Sequence, residues 1–299
     1  MDYHALTGFL NSLESYSQSL VQELRNDSKL CHYTTLEGAL SIIQGGDLWL
    51  SHLRFSNDDE EFVYGVQLVT NELKALAKAS RADQERLELI RRIQSLIEQQ
   101  REQPIFICCF CEQDNLLSQW RGYADNGGGV SIEFDAPGFR RHSGEDSSER
   151  GLTRLWRVVY KEASQRNIVR SALDYPYWGA TSLDDRVGYV RDALSFFLPT
   201  FKNPAFNDER ERRLIFTPGP ANPPATHFRV RSGLVVPYVR MREIGRDPPA
   251  LAPARLPIRR VLVGPSQHRA LNRESLRMVL DANGYAGVPV EASNIPYRG

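Results

Sequence analysis

Residues 29–53 read KLCHYTTLEGALSIIQGGDLWLSHL. Lys29 to Thr34 predicts a short strand. Thr35 offers a hydroxyl to cap a helix from Leu36 to Ile43, and Gly45-Gly46 stops that helix. Leu48 to Leu53 then predicts a second strand. A strand, a short helix and a strand in such close succession point to a mixed α+β fold rather than a helical bundle or an all-β sandwich.

The flanks extend this pattern. On the N-terminal side, Leu6, Phe9, Leu10, Leu13, Tyr16, Leu20 and Leu24 recur at helical spacing, so residues 1–28 are expected to form a helix closed by Asn26-Asp27-Ser28. On the C-terminal side, Asn57 is placed to cap a helix from Asp58 to Ala79, whose acidic first turn suits the helix dipole. A second helix runs from about Ala82 to Gln100. The two predict a helical hairpin inserted at about 58–102. Pro104 breaks the pattern, and Ile105 to Cys111 (IFICCFC) reads as a buried strand.

Further on, Asn115 to Tyr123 predicts a turn and short helix. Strands are expected at 130–134, 155–160, 214–216, within 228–241, at 258–263 and at 288–290. Helices are expected at 183–197 and 268–284. The Pro-rich stretches 218–224 and 248–257 are too short to separate domains. Residues 29–299 are therefore expected to form a single α+β domain behind the N-terminal helix.

Composition narrows the function. The 299 residues are 41% hydrophobic and 25% charged, the profile of a globular protein. Lys plus Arg is 37 and so is Asp plus Glu, so there is no basic excess of the kind a general polyanion binder carries. Only 5 of the 37 basic residues are Lys, a bias that reads most simply as that of a GC-rich genome. No stretch approaches eighteen apolar residues, and the N-terminus holds acids without an apolar signal core. A cytoplasmic protein with no membrane partner is expected.

Cys108, Cys109 and Cys111 crowd one strand. Neighbours on a strand face opposite sides, so Cys108 and Cys109 make no metal pair there. Cys109 and Cys111 share a side but lack partners at zinc spacing. With Cys31 they read as reduced core residues, and no metal site is expected.

Three clusters carry chemistry: His32-Tyr33-Thr34, Trp120-Arg121-Gly122-Tyr123, and Glu209-x-Glu211-x-Arg213. On a strand the last three would share a face, and two acids with an arginine require water, a partner charge or a polar cleft. Taken singly, each cluster has a structural reading: a hydrogen-bonded core histidine, packing aromatics, a charged edge strand. No Gly-x-Ser-x-Gly, Gly-x-Gly-x-x-Gly or P-loop occurs, and Gly127-Gly128-Gly129 reads as a turn. Asp58, Asp59, Glu60, Glu209 and Glu211 could together supply the carboxylates of a metal-dependent nuclease, although no nuclease motif accompanies them.

The order of the motifs resembles a bacterial family known as domain of unknown function 2971. The residues that carry the resemblance are His32-Tyr33-Thr34, Asn57-Asp58-Asp59-Glu60, Cys109-Phe110, Ser118-Gln119-Trp120 with Tyr123-Ala124, Gly129-Val130 with Glu133-Phe134, Glu209-x-Glu211-x-Arg213, Val263-Gly264-Pro265 and Ser293-x-Ile295-Pro296-Tyr297-Arg298. Asp59 stands where that family's Asp-Pro-x-Glu run has proline. The stretch from His32 to Ser51 also resembles, more distantly, the opening of ADP-ribosyltransferase-like folds. Those bind NAD on a split β-sheet core and order a His or Arg, an aromatic or Ser, and a late Glu.

The second resemblance implies an enzyme that cleaves NAD and transfers ADP-ribose to a protein or nucleic-acid acceptor or to water, in the setting of bacterial toxins or anti-phage defence. In that reading Glu211 stabilises the ribosyl cation and Glu209 orients the acceptor. His32, with Tyr33 and Thr34 beside it, holds the nucleotide through a ribose hydroxyl. Trp120 or Tyr123 stacks on nicotinamide, and Arg121 or Arg213 grips the pyrophosphate. The alternative is a non-catalytic sensor that binds a nucleotide or a protein in the same cleft.

Overall fold

A computed structural model describes residues 29–55, 59–143, 147–148, 151–177, 180–219, 223–231, 233–244 and 255–296. The expected helix at 1–28 lies outside the described residues, as do Asn57, Asp58, Tyr297 and Arg298.

Eleven described strands form one sheet: β1 (Leu30–Thr34), β2 (Trp49–His52), β3 (Phe106–Cys111), β4 (Val130–Phe134), β5 (Ser147–Ser148), β6 (Gly151–Arg157), β7 (Glu211–Pro218), β8 (His227–Arg231), β9 (Leu234–Arg240), β10 (Ile258–Val263) and β11 (Val290–Ala292). The main path runs β11-β10-β4-β1-β3-β2-β9-β8, with β7 joining β3 to β6 beside it. The described helices are α1 (Leu36–Gly45), α2 (Asp59–Ala79), α3 (Gln84–Ile97), α4 (Leu117–Tyr123), α5 (Ala136–Ser143), α6 (Glu162–Asp174), α7 (Leu183–Phe197), α8 (Met241–Ile244) and α9 (Arg269–Ala282).

The opening strand–helix–strand forms as its residues dictate. Thr35 accepts a hydrogen bond from the Gly38 amide at 3.1 Å, and Gly46 ends α1 at φ 59°, a conformation that favours glycine. Strand β1 pairs with β4 from Leu30 opposite Phe134 to Thr34 opposite Val130. It meets β3 at one register pair, Cys31 opposite Cys111, so the two strands part beyond it. Gly129 lies against the end of β1, where a Cβ would come 2.1 Å from the Thr34 carbonyl oxygen. The glycine run is thus a turn that lets two strand ends approach, as its sequence indicates.

Two compact units divide the described residues. One comprises 29–51, 106–155 and 209–296 and holds most of the sheet. Its main core gathers Leu30, Phe106, Phe110, Ile132, Phe134, Phe139, Leu214, Phe216, Val261 and Val263 with Ile42 and Ile43 of α1. The other comprises 52–105 and 156–208. There α2 packs on α3 and α6, and α7 packs on α3 and α6. Buried Val69, Leu73, Ile90, Ile93, Val169, Leu173, Val190 and Leu194 fill that unit. The expected helical hairpin supplies α2 and α3. Helix α6 is not among the expected helices, and β6 lies earlier than the strand expected at 155–160.

Candidate functional site

His32 sits in the middle of β1, half-buried. Its Nδ1 lies 2.9 Å from the Cys109 carbonyl oxygen. A carbonyl only accepts, so Nδ1 carries the proton and the neutral ring leaves Nε2 as an acceptor. Burial pushes the His32 pKa below its ordinary 6.5, against the pull of the Cys109 hydrogen bond, and the charges of Arg229 and Arg231 lower it further. The ring is therefore neutral at pH 7.

The other two clusters lie elsewhere. Trp120 is fully buried, donates Nε1–H to Asn115 Oδ1 at 2.9 Å and meets Tyr33 edge-on at 4.9 Å. Tyr33 is buried too, with its hydroxyl donating to the Gln113 carbonyl and accepting from the Leu116 amide. Trp120 and Tyr33 both lie in the buried core. Thr34 is half-buried at the end of β1, and Arg121 is exposed on α4. Tyr123 is half-buried, with its hydroxyl 3.5 Å from Glu209 Oε1. Glu211 is buried, and both its oxygens take Arg213: Nε at 2.6 Å and Nη2 at 3.0 Å.

Glu209 does not share the strand face expected of it. It ends a 3-10 turn (Pro204–Glu209), and Arg210 follows at φ 45°, a left-handed conformation that breaks the alternation before β7 begins.

The register then separates His32 from Glu211. On β3, Cys109 and Cys111 face one side, and Cys108 and Phe110 the other. Arg213 lies opposite Cys109, Glu211 opposite Cys111, and Cys31 opposite Cys111, so all of these share a face. His32 follows Cys31 and points the other way. Its ring centroid is 5.7 Å from that of Phe110, and its Nδ1 is 3.9 Å from Cys108 Sγ. The first cluster meets the second through Tyr33 and Trp120, and the second meets the third through Tyr123 and Glu209, but the His32 ring faces away from both contacts.

What accompanies His32 is a group that motif reading passed over. Strands β2, β9 and β8 pair with Trp49 opposite Arg240, Ser51 and His227 opposite Tyr238, Arg229 opposite Val236, and Arg231 opposite Leu234. Opposed residues share a face, so these side chains form one surface. Trp49 and Tyr238 stack with centroids 4.4 Å apart at 20°. Arg229 lies 5.4 Å over Trp49 and 5.8 Å over Tyr238, and donates to Ser51 Oγ at 2.7 Å. The only sequence signal was period-two alternation of Arg and aromatic residues on strands not known to be neighbours.

Charge marks this surface. Arg213 is matched by Glu211, and Arg260 by Glu133 and Glu291. Among the described residues no carboxylate touches Arg229, and its buried Nε has no hydrogen-bond partner. Burial and the charge of Arg231 hold its pKa below the usual arginine value. The Nε of Arg240 is likewise buried without a partner. Glu243 is occupied by His227 at 2.9 Å, and Asp47 by Arg242 at 3.4 Å. An unpartnered buried donor costs about 1–3 kcal/mol, which an anionic acceptor would relieve.

The thiols offer no nucleophile. Burial pushes Cys108 and Cys111 up to about 12 and Cys109 well above its ordinary value. All four cysteines are free, and among the described residues no three His, Cys, Asp or Glu side chains are grouped to hold a metal ion. No described helix is long and apolar enough to cross a membrane.

Residues 119–214 match the model of a family described as "Protein of unknown function (DUF2971)". That span contains Trp120, Tyr123, Glu209, Glu211 and Arg213 and excludes His32 and Arg229. No curated protein and no solved structure matches the chain.

Proposed function

We propose that the chain is a binding module for a nucleotide-class ligand, with the site on the β2–β9–β8 face beside His32. The observation that carries this reading is Arg229: a half-buried guanidinium over two stacked rings, with no acid on it and a donor left open. A phosphate accepts from Arg229 and Arg231, a task that suits the planar guanidinium. The half-buried Trp49 indole receives a base or nicotinamide ring. His32 Nε2 accepts a ribose hydroxyl. NAD is the first ligand to test, because the His32–Ser51 stretch resembles NAD-binding folds and β1 parts from β3 after a single pair, as a split sheet would.

A second reading is cleavage: NAD and water, or another acceptor, give nicotinamide, the ADP-ribosyl product and a proton. One observation favours it, the meeting of Tyr123 with Glu209 from clusters far apart in sequence. Cleavage needs a carboxylate free to face the sugar. Glu211 is held by Arg213 on the side of the sheet away from His32, so the geometry supports binding better than cleavage.

Calorimetric titration with NAD and ATP, with chromatography for nicotinamide, separates the two. Binding should weaken at least tenfold in Arg229→Ala and stay unchanged in Arg121→Ala, with no nicotinamide released. Nicotinamide release abolished by Glu209→Gln would establish cleavage in place of simple binding. Binding indifferent to Arg229 would remove the site.

A further inference from the structure

Strand β8 ends the sheet, and among the described residues only β9 pairs with it. Its outer edge therefore presents unpaired amide and carbonyl groups, the arrangement that invites another strand. The β8–β9 hairpin also exposes an apolar face, opposite to the one that holds Arg229. Phe228 is 65% exposed, Val230 76% and Val235 56%. Val230 lies opposite Val235, and Phe228 opposite Pro237, so these four form one surface. Neither strand contains an acid. Their charged residues are Arg229, Arg231 and Arg240, and Arg231 is exposed.

We infer that β8 takes up an extended segment of a partner protein in which acidic and apolar residues alternate. The apolar residues of that segment cover Phe228 and Val230, its acids meet Arg231 and neighbouring cations, and its backbone completes the ladder. A second copy of the chain is the poorer occupant. Any antiparallel pairing of two β8 strands that joins their apolar faces also sets His227, Arg229 or Arg231 against one another, and like charges directly opposed are destabilising. A strand with acids at the alternate positions has no such conflict.

The test uses the full chain and a fluorescein-labelled peptide, VEVDVEVD, followed by anisotropy, with VKVKVKVK as the charge-reversed control. Saturable binding of the acidic peptide alone is expected. Phe228→Asp with Val230→Asp should weaken it at least tenfold while leaving NAD titration unchanged, since those side chains lie off the Arg229 face. Both positions are exposed, so the fold should hold, as circular dichroism will check. Arg231→Glu should move the preference toward the lysine peptide. Equal binding of both peptides, or none, overturns the inference. So does a sedimentation-detected dimer that the Phe228→Asp/Val230→Asp variant abolishes, because the surface then belongs to a second copy.

Discussion

At the scale of single residues, the histidine and the arginine beside it carry the argument. His32 is neutral because burial and two nearby cations oppose its protonation. The unfolded chain titrates near 6.5, whereas the folded ring resists the proton. Its contribution to stability is therefore complete above 6.5 and is lost as the pH falls toward the lower folded value. Urea midpoints at pH 7.5 and 5.5 should show this loss in the native chain and a flatter response in His32→Gln. Parallel losses in both proteins would place the titrating group elsewhere. Arg229 gives a second residue-scale expectation. Arg229→Lys keeps the charge but loses the planar fork over Trp49 and Tyr238, so nucleotide affinity should fall nearly as far as in Arg229→Ala. Full affinity in the lysine variant would mean that only charge matters there.

Elements are held by ion pairs whose partners are distant in sequence. In the helical unit, Glu72 of α2 is 2% exposed and receives Arg166 and Arg170 of α6 at 2.6 Å each. Burial is the largest single influence on Glu72 and raises its pKa, but the hydrogen bonds and charges of the two arginines together outweigh it and hold the carboxyl below its ordinary 4.5. Asp114 is held below 3.8 in the same way: burial is again the largest single influence and raises it, and Lys29 and Arg260 outweigh it. Both contributions are present above those values and vanish as the pH falls through the folded ones. Glu72→Ala should cost about 1–3 kcal/mol by thermal melting, at the modest end for a buried pair because both arginines reach water. A melting temperature unchanged within error would show that α2 and α6 are held by their apolar contacts alone.

The elements also show what sequence could reveal. Thr35, Gly46 and the apolar run 105–111 announce α1, its end and β3 because caps and buried strands are local signals. Helix α6 escaped because its buried positions, Gln165, Ile168, Val169, Ala172 and Leu173, include a polar residue and three small or β-branched ones that dilute the pattern. The candidate site was half legible. His32 was singled out, but its neighbours on β2, β8 and β9 depend on strand order, which no local pattern encodes. The Glu211–Arg213 contact followed from alternation on one strand, whereas the left-handed Arg210 that removes Glu209 from it did not.

At the scale of the whole molecule, two units with separate cores are each interrupted in sequence by the other. Each has its own ionic anchor. Glu72 with Arg166 and Arg170 serves the helical unit. Arg260 of β10 serves the sheet, reaching Glu133 on β4 at 2.7 Å, Glu291 on β11 at 2.8 Å, and Asp114. Removing Arg260 strands Glu133 at 5% exposure with, among the described residues, only Arg259, 3.8 Å away, as a charged partner. A buried acid deprived of its main partner costs about 3 kcal/mol. Local opening follows local stability, so hydrogen exchange should report each loss where it occurs. Arg260→Ala should speed exchange in β4, β10 and β11 and leave α2 and α6 slow, and Glu72→Ala should do the reverse. Exchange that accelerates evenly over both sets of segments in either variant would show that the two cores open as one cooperative body, and the division into units would then have no energetic meaning.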